Sequence, residues 1–169
     1  MSRNRIVGII AMSVGSLLGV GVALSLFGIQ AEQNQLPPDV VAILNGGDSF
    51  MLLSLEPLAV ASASQDIFHG HAVLGRAEIH DAGQRRHLLQ ALYGGIANAE
   101  EKIAKCWSPR HGLRVSRGNE VVDLVICFEC LHLYWHFRGS GLVLTNRSPE
   151  ITFLNALESA GLKRPGMPK

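Results

Sequence analysis

A membrane segment followed by a small α+β domain is the architecture predicted for this 169-residue chain, and three features predict it. An uncharged apolar run opens the chain, period-two apolar alternation recurs through its centre, and capped stretches of helical period flank that centre. The expected fold is an N-terminal transmembrane helix, then an antiparallel sheet with two helices packed on it. The boundaries are 1–30 for the anchor or a signal peptide, 31–48 for a linker, 49–162 for the domain and 163–169 for a tail.

No residue from Ile6 to Ala31 is charged. Residues 6–29, IVGIIAMSVGSLLGVGVALSLFGI, would span ~36 Å as a helix, enough for a ~30 Å hydrocarbon core. Arg3 and Arg5 precede this run, whereas Glu32, Asp39 and Asp48 follow it. The positive-inside tendency then gives a single pass through the cell membrane, with a cytoplasmic N-terminus and a periplasmic or extracellular domain. The alternative is a cleaved signal peptide, for which Ala23-Leu24-Ser25 has suitably small residues. The run is longer than the usual apolar region of about 7–15 residues. Gly15 and Gly19 form a GxxxG through which two such helices would self-associate, unless they only reflect ordinary membrane-helix composition.

Setting aside Arg3 and Arg5 leaves 13 basic against 14 acidic side chains. A balance without sign bias excludes nucleic acid as a partner, because that affinity comes from many cations neutralising phosphates. No phosphate loop, paired-carboxylate motif or serine nucleophile elbow occurs in the sequence.

Gln30 to Asp39, with its Pro-Pro pair, reads as an extended tether. A short VVAIL piece and a turn at Asn45-Gly46-Gly47-Asp48 follow it. SFMLLSLEP (49–57) is a first strand ended by Pro57, and the Ala/Ser-rich 59–66 is a loop. HAVLGRAEI (71–79) alternates, with Val73, Ala77 and Ile79 on one face and Arg76 and Glu78 on the other.

Asp81, with Gln84 three residues on, marks the start of a helix over about 82–97. Leu88, Leu89, Leu92 and Ile96 form its apolar stripe, and Gly94-Gly95 weakens its last turn. KIAKCW is expected as a short strand. GLRVSR and EVVDLVICF form a hairpin about Gly118-Asn119. In LHLYWHF, Leu131, Leu133, Trp135 and Phe137 line one face and His132, Tyr134 and His136 the other. LVLT is a last strand. Ser148-Pro149-Glu150 starts a second helix, with Ile151, Leu154, Leu157 and Glu158 at helical spacing and Gly161 as its stop.

SLEP (54–57), FHG (68–70), VLG (73–75), CWSPRHG (106–112) and DLVICFEC (123–130) together resemble small bacterial membrane-anchored or exported proteins. The resemblance covers roughly residues 49 to 137, and PRHG and ICFEC are its most specific strings. It implies a single domain with Cys106 near the CFEC segment, and it carries no activity with it.

The chemistry-bearing residues gather in 106–137. Cys106, His111, Cys127 and Cys130 supply three thiolates and an imidazole, the donor set of a closed tetrahedral zinc site. In an extended strand, residues three apart point to opposite faces and lie ~10 Å apart. CFEC has no glycine or proline to force a turn, yet Val121–Phe137 is too long for one strand of a small sheet. A bend at Cys127–Cys130 is therefore expected. Outside the cytoplasm thiols oxidise, so the rival reading joins Cys106 to Cys127 or Cys130 and leaves one buried thiol. A Cys127–Cys130 bond is disfavoured on strand spacing.

A thiol catalyst would use Cys106 or Cys127 with His111 and Asp123, beside Arg110. Asp123 is otherwise an outward strand residue or a partner for the PRHG turn. His69 and His71 form a two-ligand pair at most. His80 and His87 read as surface residues. His132, Tyr134 and His136 form either a binding strip or a solvated face. The sequence thus predicts a non-enzymatic, membrane-tethered extracytoplasmic binding or accessory domain, with a thiol-dependent redox or hydrolytic enzyme as the alternative.

Overall fold

The computed structural model describes residues 34–60, 66–102 and 104–162. The anchor at 6–29, the Gly15/Gly19 pair and the tail at 163–169 lie outside the described residues. Among the described residues, no helix is long and apolar enough to cross a membrane. In chain order the elements are α1 (Pro38–Gly46), β1 (Ser49–Val60), β2 (Ile67–Phe68), β3 (His71–Glu78), α2 (Ala82–Ala97), β4 (His111–Arg117), β5 (Glu120–Cys127), β6 (His132–His136), β7 (Ser140–Leu144) and α3 (Glu150–Ser159). The strands form one curled, antiparallel sheet ordered β2-β3-β1-β4-β5-β6-β7. The α+β class is as the sequence predicts. The described residues contain three helices, however, not two.

The additional helix is α1, which replaces part of the linker expected at 31–48. Pro38 fills a first-turn position whose N–H would have no intrahelical partner, and Asp39 sits against the positive helix end. Val40, Ile43 and Leu44 then recur at i, i+3 and i+4 and are buried. The chain is already fixed at Asn34. Its side-chain amide donates to the carbonyls of Ile96 (3.2 Å) and Leu144 (3.1 Å), and its oxygen accepts the Leu144 N–H at 2.6 Å.

Strand β1 continues past Pro57, where it was expected to stop. Its pairing with β4 ends at Ser54, so the missing proline N–H removes no bond from that ladder. In β3, Gly75 lies opposite Ser54 and Val73 opposite Leu55, which leaves Leu74 as an extra residue in a bulge. The bulge moves Val73 to the other face. It packs with Leu53, Leu55, Phe68 and Val125, whereas Ala77 packs in the main core. The expected single face for Val73, Ala77 and Ile79 is thereby corrected.

Helix α2 has the expected bounds, and the Asp81 carboxylate accepts the Gln84 N–H at 2.6 Å. Leu88, Leu89, Leu92 and Ile96 are buried in the main core with Leu52, Leu113, Leu124, Ile126, Leu133 and Phe153. No strand forms in the described part of 101–110, against the expectation for KIAKCW. Pro109 lacks an N–H, and Trp107 is held by ring stacking instead of a ladder. The β4–β5 hairpin turns at Gly118-Asn119 as expected, with Gly118 at φ 56°.

Helix α3 ends as predicted at Gly161, φ 72°. The Leu162 N–H reaches the Leu157 carbonyl (2.9 Å) and the Gly161 N–H the Glu158 carbonyl (2.8 Å), a Schellman arrangement. Its buried stripe is Phe153, Ala156 and Leu157, while Ile151 remains 57% exposed.

The two adjacent glycines of α2 have different surroundings. A Cβ on Gly94 would meet nothing within 4 Å, whereas one on Gly95 would lie 2.5 Å from Pro149 Cγ and 2.6 Å from Thr145 Oγ1. Gly95 therefore permits the close approach of α2 to the segment entering α3. Gly94→Ala should raise stability by about 0.5–1 kcal/mol through helix propensity. Gly95→Ala should lower it by about 1–3 kcal/mol through overpacking. Urea unfolding of the two variants checks this contrast.

Candidate functional site

Residues paired across neighbouring strands point to the same face of a sheet. The pairings Met51–Arg114–Asp123–His136, Gly112–Val125–Tyr134 and Cys127–His132 define the face opposite the main core. Phe68, from the β2–β3 hairpin, folds over part of this face. It occupies the gap at Gly112, where a Cβ would lie 2.9 Å from its ring. Beyond Phe68 the face carries histidines, Trp107, Tyr134 and the three cysteines. The sequence-predicted strip of His132, Tyr134 and His136 is thus brought together with residues from four other segments.

Asp123 holds the middle of the face. Arg114 donates to both carboxylate oxygens, Nε and Nη2 each at 2.7 Å, and His69 Nε2 lies 2.7 Å from Oδ2. Burial alone would raise the Asp123 carboxyl. The Arg114 and His69 hydrogen bonds and charges outweigh burial and hold it below its ordinary value. Asp123 is therefore neither a plain outward residue nor a partner of the PRHG turn.

His69 reaches the carboxylate from a tight turn, with φ 48° at His69 and 88° at Gly70, as a two-residue hairpin loop requires. Its ring stacks on His136 at 3.9 Å, and Arg114 lies over the Phe68 ring at 5.3 Å. Burial first, and His69 second, push the His71 and His136 imidazoles below their ordinary value, the latter against an opposing pull from Asp123. His80 and His87 are exposed, as expected.

At the other end of the strip, Trp107 stacks on His132 (4.8 Å) and meets Tyr134 edge-on (4.9 Å). This brings the neighbouring Cys106 to the sulfur pair. The predicted bend occurs over residues 128–131, with Leu131 at φ 62°. It reduces the Cys127–Cys130 Cα separation to 5.1 Å, and the two form a disulfide. The expectation against that bond is overturned, because the strand ends at Cys127 and the extended spacing no longer applies. Cys106 is a free, exposed thiol with its Sγ 2.8 Å from Cys130 Sγ. All three sulfurs lie within 4.8 Å of one another. Cys127 Sγ accepts the Cys130 N–H at 3.1 Å, and Cys130 Sγ accepts the Ser108 N–H at 3.3 Å.

His111, expected as the fourth ligand, is not in this cluster. It pairs with Ile126, the residue before Cys127, and strand alternation puts it on the opposite face. There it is 1% exposed and packs against Phe128 (5.3 Å) and Phe153 (5.8 Å), with no hydrogen-bond partner for either ring nitrogen. Burial, with a smaller contribution from Arg110, lowers its pKa to about 3. Its place on the opposite sheet face keeps the imidazole from serving as a base for the thiols or as a fourth ligand beside them. Trp107 and His69, together with Arg114 of β4, are the site residues that sequence reasoning missed as members of this face. The bulky Trp107 next to Cys106 was a signal for the first, and the His-Gly turn for the second.

A separate cleft of about 610 Å³ lies between α1 and α2. Arg85, Tyr93 and Asn45 in its lining have structural partners. Arg85 donates to the Ile79, Gly47 and Asp48 carbonyls, and the Tyr93 hydroxyl donates to Asn45.

No protein-family model, curated protein or solved structure matches the chain. The fold and site are therefore described by their own geometry: a small α+β domain with one sheet face in the core and a histidine- and aromatic-lined opposite face ending in a three-sulfur cluster.

The buried His111 makes stability depend on pH. Folded His111 protonates only near pH 3, whereas the unfolded residue protonates near 6.5. Between those values the unfolded chain binds the additional proton, so stability falls as pH falls, by roughly 1.4 kcal/mol per unit. Asp123, whose carboxyl is lowered in the folded state, adds a loss in the same direction at more acid pH. In urea unfolding between pH 7 and 4, His111→Leu should flatten the upper part of this dependence and leave the lowest part intact. An unchanged profile would show that folded His111 takes up its proton over the same range as the unfolded residue.

Proposed function

We propose that this chain is a membrane-tethered, extracytoplasmic domain that binds a protein partner through the sheet face opposite its main core. The observation that carries the reading is the pair of accessible rings, Trp107 and Tyr134, packed edge to face over the buried His132 beside the Arg114–Asp123–His69 ion cluster. Tryptophan, tyrosine and arginine dominate the binding energy of protein interfaces, and here they are held rigidly before any partner arrives. Placement outside the cytoplasm rests on the uncharged run at 6–29 with Arg3 and Arg5 before it. The Cys127–Cys130 disulfide fits the same compartment.

Zinc belongs to the reduced state only. While Cys127 and Cys130 are joined, Cys106 is the one free thiol of the cluster, and a single thiolate is not a structural zinc site. After reduction, the three sulfurs would supply three ligands and leave the fourth to water or a partner group.

Two measurements test this reading. In intact cells a membrane-impermeant maleimide should label Cys106, and labelling only after lysis would place the domain in the cytoplasm. A photo-crosslinking residue at Tyr134 should give a discrete adduct in cells, while one at exposed Gln90 on α2 should not. Equal yields from both positions, or none from either, would refute the binding face.

A further inference from the structure

We propose that the three cysteines form a thiol–disulfide relay, in which Cys106 takes over the Cys127–Cys130 bond and passes its oxidising equivalents to a protein dithiol. The proposal rests on the sulfur geometry and stands whether or not the His/Trp/Tyr face binds a partner. Three observations carry it. Cys106 Sγ is 2.8 Å from Cys130 Sγ and so is aimed at one particular sulfur of the pair. Cys106 is exposed, whereas Cys127 and Cys130 are 1% and 0% exposed. The sulfur that would leave, Cys127 Sγ, accepts the Cys130 backbone N–H at 3.1 Å, a donor that stabilises a developing thiolate.

In the first step the Cys106 thiolate attacks Cys130 Sγ. The Cys106–Cys130 bond forms, the Cys127–Cys130 bond breaks, and Cys127 departs as a thiolate that takes up a proton. Nothing is oxidised or reduced overall. The disulfide has moved from a buried pair of sulfurs to a pair with one exposed member.

In the second step a thiolate of the external dithiol attacks the exposed Cys106 Sγ, and Cys130 leaves. The second thiolate of the dithiol then displaces Cys106 and closes its own disulfide. Two electrons have passed from the dithiol to this chain, which is left with three thiols. Direct attack on Cys127 or Cys130 is blocked by their burial, so Cys106 is the point of entry. This makes it the relay nucleophile, whereas a merely structural thiol would be dispensable.

The test uses the full-length chain in detergent with a chelator present, and dithiothreitol as the probe dithiol. Reduction of the oxidised wild type should be roughly tenfold or more faster than that of Cys106→Ser, because the variant exposes no attackable disulfide. Cys106 is exposed, so matched thermal melts of wild type and variant would show that the rate difference is not caused by unfolding. A second variant, Cys127→Ser, should form the Cys106–Cys130 bond on mild oxidation, seen by non-reducing peptide mapping. Equal reduction rates for wild type and Cys106→Ser, or a Cys127→Ser protein that retains two free thiols after oxidation, would overturn the relay.

Discussion

The four-residue turn between β5 and β6 is the constraint on which the rest of the domain depends. Strand β5 is buried over its last six residues and would continue straight into the bulky sequence after it. Instead the chain reverses over 128–131, with Leu131 in the left-handed region at φ 62° and its N–H reaching the Phe128 carbonyl at 3.4 Å. The reversal sends Phe128 into the main core against Phe153 and His111. It joins Cys127 to Cys130 and returns β6 beside β5 in the register that puts His136 against Asp123 and His132 against Cys127. A one-residue slip would exchange the two faces of β6, burying His132 and His136 in the core and exposing Leu133. The disulfide closes the same turn covalently, which ties the core packing to the composition of the opposite face.

The two faces handle polar groups in opposite ways. On the helix-covered face His111 is tolerated because it stays neutral; a charged imidazole among Phe128, Phe153 and Ile126 would have no compensating partner. On the other face Asp123 is almost as well buried, at 6% exposure, yet remains ionised because Arg114 grips it with two hydrogen bonds and His69 adds a third. Paired charge of this kind contributes little net stability once desolvation is counted, but breaking it is costly. Its main effect is positional. It fixes the β2–β3 hairpin over the sheet through His69 and holds Arg114 over the Phe68 ring.

Local signals in the sequence carry most of the elements. Asp81 with Gln84, the Gly118-Asn119 turn and the Gly161 stop all act within a few residues of the structure they specify. The bend at Cys127–Cys130 was also legible, from strand length alone. What was hidden depended on non-local packing. Pro37-Pro38 reads as a tether until Val40, Ile43 and Leu44 have a sheet to cover, and then it becomes a helix start. The bulge at Leu74 inverts the face of Val73, which no period count reveals. Three of the four expected ligands do converge. His111 fails because its face is set by its pairing with Ile126, one residue out of phase with Cys127.

The position of Cys106 follows from the segment that carries it. Its described residues between α2 and β4 have no strand ladder of their own. Trp107 stacks on His132, the Ser108 N–H reaches Cys130 Sγ, and the Arg110 N–H reaches the Ile126 carbonyl at 3.3 Å. On the far side the Leu55 N–H reaches the Arg110 carbonyl at 3.0 Å. A ladder would fix every second side chain along the segment, whereas these attachments fix its end at Arg110 and one aromatic ring. Cys106 is therefore directed onto Cys130 by its neighbour Trp107 and stays open to solvent on its other side. The stacking partner, His132, itself bonds the Cys130 carbonyl through Nδ1 at 2.8 Å. The aromatic strip and the sulfur cluster are accordingly joined through Trp107 and His132, which together hold the Cys106 thiol against the disulfide it faces.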